Sequence, residues 1–308
     1  MAVALCSFTF VWIYGKTLDW WDAASIRWAL VLCLLSSAAF IWRASKARTH
    51  YYLPLEVFSF RNVWMAMLLF MLTMLLNASN GFIGTFAKLT TPINHLQSAT
   101  LSGWAMVGCL CGLLLSFGLV MGRLRFRWAF FVAFLFMAAA NAWMYFQFQT
   151  MGLFRNMAVP MVLHFTGLLM LYSLVAAFGM KHLPARYLVT FVFLMIWMRN
   201  AIAPVVGASC YANWLNQRQQ YYIARLSQEV DAQNPLSASA FRQTQLIGQA
   251  GGKSALEAEQ LSVASLKSRV GLQATLVALK EITGHTVLLL IGAAGLSLLL
   301  PYYKEETM

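Results

Sequence analysis

The sequence is short of charged residues, and of acidic residues above all. Only 10% of its 308 residues are charged, with 10 Asp and Glu against 22 Lys and Arg. Hydrophobic residues make up 60%, whereas a typical soluble domain is about 45–50% apolar and roughly 25% charged. The basic residues lie in short loops between apolar runs, which is typical of a membrane protein. This balance excludes an ordinary soluble enzyme, a disordered tail and a nucleic-acid-binding domain.

Signatures of catalysis are also missing. The sequence contains no P-loop, GxSxG, HExxH or CxxC motif. All ten acids lie outside the predicted membrane spans, so neither a paired-carboxylate hydrolase site nor an acidic metal cage is available within the membrane. The five cysteines lie in apolar runs, and their spacing suggests no disulfide framework. We therefore predict no enzymatic activity, no cofactor and no metal site.

Long apolar runs dominate what is present. Because a helix rises 1.5 Å per residue, about 20 apolar residues cross a hydrocarbon core of roughly 30 Å. The sequence predicts an all-α integral membrane protein with about eight transmembrane helices, at 1–14, 24–42, 63–81, 98–121, 128–147, 157–180, 187–212 and 286–303. The first run is short and has no charged lead-in, so we interpret it as a helix that lacks its beginning, in part of a longer protein.

The distribution of Lys and Arg predicts the orientation. One set of alternate connections and the C-terminal tail hold ten basic residues, which are Arg43, Lys46, Arg48, Arg61, Arg123, Arg125, Arg127, Lys181, Arg186 and Lys304. The opposite short loops hold four, which are Lys16, Arg27, Lys88 and Arg155. The positive-inside rule then places loops 43–62, 122–127 and 181–186 and the C-terminus in the cytoplasm. The long connection 213–285 lies outside.

The external connection 213–285 is polar but has helical patterning. Apolar residues recur at helical spacing in 214–230 and 255–282, Asn234 and Pro235 mark a turn, and Gly251 and Gly252 mark a break. We expect a solvated helical hairpin whose second piece runs directly into the last span. An alternative is that this hairpin is a docking surface for a periplasmic partner.

Two ionisable residues lie inside predicted spans. Arg199 is near the bilayer centre, twelve residues into its span, where an arginine costs about 2.5–3.5 kcal/mol unless it is compensated. Arg199 could cap the carbonyls of a broken helix, or it could line a transport pathway, since Pro204 and Gly207 follow and would kink or loosen this helix. His164 is either a hydrogen-bonded core histidine or a proton-sensitive pathway group.

Neutral polar residues also lie in the spans. Asn77, Asn80 and Asn141 are expected to form hydrogen bonds between helices. Asn77 and Asn80 are three residues apart and so share one helical face, where they could instead form a cavity-facing pair. Gly108 and Gly112 form a GxxxG pattern, which predicts close packing of two helices.

Several short stretches resemble one transporter family. These are residues 15–20 (GKTLDW), 54–58 (PLEVF) with 60–62 (FRN), 198–200 (MRN) with Pro204 and Gly207, and 213–218 (NWLNQR) with 224–226 (ARL). In order and spacing they are similar to the C-terminal portion of the fourteen-span drug:proton antiporter branch (EmrB/QacA type) of the major facilitator superfamily. The loop 122–127 corresponds to a gating motif of that family but lacks its Asp, and Ala201, Ala203 and Pro204 stand where the family has Gly-Gly.

The resemblance implies family spans seven to fourteen. Residues 1–60 would be a two-helix insert with a cytoplasmic linker, and 61–308 the C-terminal six-helix transport bundle, including external loop 213–285. It implies a multi-pass protein of the bacterial inner membrane that exports drugs or amphipathic organic compounds by alternating access, driven by protons and contributing to multidrug resistance. The carboxylates that carry protons would lie in a missing N-terminal six-helix bundle.

The polar residues inside the spans are the candidates for functional roles. Arg199, Asn200, His164, Asn77 and Asn80 would line the transport pathway. The predicted cytoplasmic gate consists of Gly122, Arg123, Arg125 and Arg127. The expected partners are the lipid bilayer, a small-molecule substrate, protons, the missing bundle and a periplasmic adaptor protein, with no nucleic acid. Alternatives are a truncated or split, non-transporting membrane fragment, and a membrane scaffold that binds a periplasmic partner through loop 213–285.

Overall fold

The described part of the chain is built from helices. The computed structural model describes residues 2–46, 54–90, 95–121, 125–148, 154–181, 183–230 and 235–299, and these contain no β-strand. The α-helices are α1 (Ala2–Tyr14), α2 (Ala24–Lys46), α3 (Arg61–Asn77), α4 (Gly81–Thr90), α5 (His95–Met121), α6 (Phe126–Gln147), α7 (Ala158–Met180), α8 (Ala185–Trp197), α9 (Ala203–Glu229), α10 (Pro235–Ala250) and α11 (Ala255–Leu298).

Seven of the described helical segments are long and apolar enough to cross a membrane. They correspond to seven of the eight predicted spans. The remaining predicted span, 1–14, corresponds to α1, which has only 13 residues and is shorter than a full span. The outer face of α5 exposes large apolar side chains such as Leu110, Leu114 and Phe117. In water this surface would be unfavourable, so the fold is that of an all-α, multi-pass membrane protein.

Helix α7 lies at the centre of the bundle and packs closely against α5 and α6. A Cβ atom at Gly108 or Gly112 of α5 would lie 2.5 or 2.4 Å from the carbonyl oxygen of Val162 or Thr166, respectively. On the other side of α7, a Cβ at Gly167 would lie 2.6 Å from a carbonyl oxygen of α6. These three positions accept only glycine without a shift of a helix, which confirms the packing predicted from the GxxxG pattern.

Three apolar clusters hold the helices together. The largest lies among α3, α6, α7, α8 and the end of α11, with Phe130, Phe134 and Leu171 fully buried. A second cluster lies among α4, α6, α9 and α11. The hairpin of α1 and α2 has a small cluster of its own and is tied to α9 by the Ser209 hydroxyl, which donates to the Trp12 carbonyl at 2.6 Å.

Helix α11 is a single helix of 44 residues, as the pattern of 255–282 predicted. Its start carries a capping box in which the Ser254 hydroxyl accepts from the Glu257 backbone and the Glu257 carboxylate accepts from the Ser254 backbone. The last span was predicted at 286–303, but the helix ends at Leu298. Glu281 is the last acid of α11 and lies five residues before the predicted start of the last span.

Two of the long helical segments are irregular in the middle. A 3-10 turn at Ala78–Asn80 separates α3 from α4, and a π turn at Met198–Ile202 separates α8 from α9. The π turn lies directly before Ala203 and Pro204, where proline removes a backbone donor from the helix. The sequence predicted a kinked or loosened helix at this place, and the structure confirms an irregularity there.

Candidate functional site

A cluster of polar side chains lies in the apolar core beside the 3-10 turn. His164 of α7 is 1% exposed, and its Nε2 atom lies 2.9 Å from Oδ1 of Asn77 at the end of α3. With the amide in this orientation the imidazole nitrogen donates to the amide oxygen. The structure thus brings together two predicted pathway residues that are 87 positions apart in sequence.

The same turn makes a second polar contact, to α6. The Ser79 hydroxyl lies 2.8 Å from the Leu76 carbonyl and 3.1 Å from Oδ1 of Asn141, whose amide nitrogen donates to the Met137 carbonyl. Serine and asparagine side chains bond readily to nearby backbone groups, which favours a turn over continued α-helix here. Asn141 therefore forms the interhelical hydrogen bond that was predicted for it, with Ser79 as its partner.

Asn80 completes this cluster but lacks a partner for its oxygen. Its Oδ1 atom is buried, and no described residue donates a hydrogen bond to it. A buried amide oxygen without a donor is costly, so this position offers an acceptor to water or to a ligand. Asn77 and Asn80 were predicted to share one helical face, and they are three residues apart across the 3-10 turn, a spacing at which the side chains of a 3-10 helix eclipse.

Arg199 and Asn200 lie elsewhere, within the π turn, and both side chains are exposed. The Arg199 guanidinium stands 5.1 Å from the centre of the Tyr172 ring on α7. It borders a recess of about 170 Å³ whose walls include Phe70, Met195 and Ile196. The charge is thus exposed on a face that is otherwise apolar, rather than enclosed in the core with His164.

Arg199 has no carboxylate partner among the described residues. The ion pairs there join Arg186 to Glu56 at 3.9 Å and Arg218 to Glu281 at 3.2 Å. Both pairs lie near the ends of the apolar segments. Arg199 instead meets an aromatic face, which stabilises a cation by about 0.5–2 kcal/mol.

The two groups of polar residues are linked through packed helices. Tyr172 is eight residues after His164 on α7, which corresponds to about 12 Å along the helix axis. Its hydroxyl donates to the sulfur of Met74 on α3 at 3.3 Å. The start of α9 packs on the 3-10 turn, because a Cβ at Gly207 would lie 3.0 Å from Cβ of Ala78. The helix that follows the π turn therefore packs against the 3-10 turn.

The predicted gate is described only in part. Gly122 and Arg123 lie outside the described residues, whereas Arg125 directly precedes α6 and Arg127 lies in its first turn. Two contacts that the sequence did not indicate lie at the same end of the bundle. The Asn62 amide donates to the Lys181 carbonyl at 2.9 Å, and the Tyr187 hydroxyl donates to the Glu56 carboxylate. Glu56 is the one acid in the basic segment 43–62, and this was the available signal.

Over the described ranges, no three His, Cys, Asp or Glu side chains lie close enough together to hold an ion. No family model matches the sequence, and no curated protein matches it either.

Proposed function

We propose that this chain is a membrane transporter, or the C-terminal part of one, and not an enzyme. It exports amphipathic organic compounds by alternating access, is driven by proton entry, and belongs to the fourteen-span drug:proton antiporter branch of the major facilitator superfamily. The single observation that carries the proposal is Arg199, a guanidinium on an apolar face at an irregular turn of a long helix.

An energetic argument supports a pathway role for Arg199. An arginine near the bilayer centre costs about 2.5–3.5 kcal/mol, and its contact with the Tyr172 ring returns about 0.5–2 kcal/mol. Since no carboxylate of the described residues pairs with it, roughly 0.5–3 kcal/mol must come from outside these residues. A water-filled cavity, an anionic group of a second bundle, or a bound substrate anion would each supply it.

The packing of α8 supports a moving element beside this charge. Along α8 the side chains of Val189, Val192, Phe193 and Ile196 are exposed, although α7 is enclosed on several sides. The π turn follows directly and lacks the regular hydrogen bonding of an α-helix. A helix with one exposed side and an irregularly hydrogen-bonded end is suited to tilt when two bundles rock about a central cavity.

The same open face fits the proposed second bundle. Its apolar side chains would be covered by the N-terminal six-helix bundle, and carboxylates on that bundle would face Arg199. The polar cluster of Asn77, Asn80 and His164 would then bound the outer part of the cavity, and apolar walls would bind the substrate mainly by burial. Arg125 and Arg127, with Gly122 and Arg123, would form the cytoplasmic gate.

The proposal is tested by efflux in cells that produce this chain together with the proposed N-terminal bundle. Wild-type protein should lower the accumulation of ethidium, a fluorescent amphipathic cation, and a protonophore should abolish this effect. Arg199→Ala should raise accumulation to the level of cells without the gene, while Arg199→Lys should retain part of the activity. The matched control is Arg225→Ala, which removes an exposed arginine from the polar end of α9.

Equal accumulation with wild-type protein and with no protein would contradict efflux of this class of compound. Full activity of Arg199→Ala, with membrane insertion shown to be normal, would contradict the pathway role. Loss of activity in Arg225→Ala as well would mean that the assay reports folding rather than transport.

A second function is favoured by the extramembrane helices. Leu246 and Ile247 of α10 and Leu256 and Val263 of α11 are exposed on this polar hairpin. Exposed apolar side chains outside the membrane are typical of a docking surface, here for a periplasmic adaptor protein. Leu246→Asp should abolish co-purification with such an adaptor, whereas Arg225→Ala should not.

A further inference from the structure

An apolar cavity lies where the α1–α2 hairpin meets the bundle. It has a volume of about 560 Å³, in the range of small-molecule sites. Phe8 of α1, Cys33 and Ser37 of α2, Trp64 of α3 and Leu194 of α8 line it. None of the described residues that line it is charged, so the buried part of an occupant must be almost entirely hydrocarbon.

The walls of the cavity extend along two helices. Its walls run along α2 from Cys33 to Ile41 and along the opposite helix from Leu194 to Ile202. Eight residues correspond to about 12 Å of helix in each case. One leaflet of the hydrocarbon core is about 15 Å thick, so the cavity has the length of one acyl-chain layer. Ile41 and Trp64 are half exposed, which leaves the cavity open at its side.

Positive charge lies at one end of this cavity. In sequence, Arg61 lies between Phe58 and Trp64, which both line the cavity and whose rings lie 5.4 Å apart. Arg43 follows two residues after Ile41 at the end of α2, and both arginines are exposed. The only acid of segment 43–62, Glu56, is engaged by Tyr187 and Arg186. The cavity thus has apolar walls and positive charge near one end.

We propose that this cavity binds one acyl chain of an anionic phospholipid, with the phosphate at Arg61 and Arg43. A guanidinium recognises phosphate through charge-assisted hydrogen bonds, and basic pockets at a membrane surface select anionic lipids. The bound lipid joins the hairpin to the bundle, because α1 and α2 supply one wall of the cavity and α3 and α8 the other. The site does not depend on whether the chain transports anything.

The test is photo-crosslinking of the purified full chain in nanodiscs. Phosphatidylglycerol with a diazirine in one acyl chain is compared with phosphatidylcholine that carries the same acyl chain, and labelled peptides are mapped by mass spectrometry. Phosphatidylglycerol should label residues 33–41 and 194–202 at least fivefold more than phosphatidylcholine does. Arg61→Gln should remove this preference, while Lys88→Gln, which neutralises an exposed lysine of α4, should preserve it.

Filling the cavity provides the second arm. Ser37→Trp places an indole inside it and should reduce labelling at least fivefold, whereas Ala38→Trp places the same group on the exposed side of α2 and should leave labelling unchanged. If Ser37→Trp fails to fold, unlabelled phosphatidylglycerol in excess should compete for labelling of the wild-type chain.

Three results would overturn the proposal. Labelling spread evenly over the exposed face of α5 would show ordinary lipid contact. Equal labelling by the two lipids would show that the site does not recognise an anionic head group. If neither Ser37→Trp nor excess unlabelled lipid reduces the labelling, the labelled lipid does not lie in the cavity.

Discussion

The tight contact between α5 and α7 makes a quantitative prediction about glycine. A Cβ at Gly112 would lie 2.4 Å from the Thr166 carbonyl oxygen, whereas ordinary contacts begin at 3.4 Å. Gly112→Ala therefore requires α5 and α7 to separate by about 1 Å. Gly118 lies on the same helix with nothing within 4 Å of its Cβ position, so Gly118→Ala is the matched control.

The expected magnitude follows from two opposing effects. Overpacking costs about 1–3 kcal/mol, and replacement of glycine by alanine within a helix returns about 1 kcal/mol. Both variants receive the second effect, but only Gly112→Ala suffers the first. Gly118→Ala should therefore be neutral or slightly stabilising, and the free energies of unfolding of the two variants should differ by about 1–3 kcal/mol.

A double variant sharpens this test. Gly108→Ala meets the Val162 carbonyl at 2.5 Å, and one separation of the helices relieves both contacts. The double variant should therefore cost less than the sum of the two single variants. The measurement is unfolding in mixed micelles titrated with SDS and followed by tryptophan fluorescence. Equal stability of Gly112→Ala and Gly118→Ala would refute the packing of α5 on α7.

The remaining predictions concern topology, coupling, the polar core and pH. In a cysteine-free background, Ser237→Cys should react with a membrane-impermeant maleimide in intact cells; reaction only after lysis would reverse the predicted orientation. Vesicles containing this chain alone should show no proton uptake coupled to a substrate gradient, and such uptake would contradict a proton site on a second bundle. Asn77→Leu should destabilise the protein by about 1–3 kcal/mol because His164 loses its acceptor, and His164→Phe in the same chain should recover part of this loss. The pKa of the Glu257 carboxyl is lowered because the Ser254 backbone N–H and hydroxyl donate to it. The Glu257 carboxylate therefore stabilises the start of α11 fully above the unfolded pKa of about 4.3. This stabilisation is lost as the pH falls through the lower pKa of the folded state. Hydrogen exchange of residues 255–260, corrected for intrinsic rates, should show this loss.

Hydropathy and helical spacing predicted most of the helices, because each depends on its own residues. The membrane-crossing segments α5 and α6 begin and end within three residues of the predicted bounds. The continuous helix α11 was also predictable, since its apolar residues keep helical spacing without a break. The last span was predicted to run to residue 303; residues 300–303 lie outside the described residues, and the described helix ends at Leu298.

Contacts between helices could not be predicted in the same way. His164 and Asn77 are both polar residues in apolar runs, but their pairing depends on how α3 and α7 cross. The bond between Ser79 and Asn141 joins residues 62 positions apart and needs a 3-10 turn that no local pattern indicated. The cavity beneath the hairpin depends on how α1 and α2 dock against α3 and α8. No local sequence pattern predicts this docking.

For Arg199, the sequence predicts the cost of the charge, and the structure shows which way the side chain points. The sequence places a guanidinium in the middle of an apolar run, and this alone sets the cost of the charge. It does not tell whether the side chain points into the core, where His164 and the asparagines lie, or away from it. The packing of α8 against α7 decides this, and it leaves Arg199 exposed beside Tyr172 on an apolar face. A charge exposed at the depth of the membrane cannot face lipid tails at low cost, so the surface that contains it must meet water or another protein surface. For this reason the face of α8, rather than the enclosed polar cluster, is the place where transport activity should be sought first.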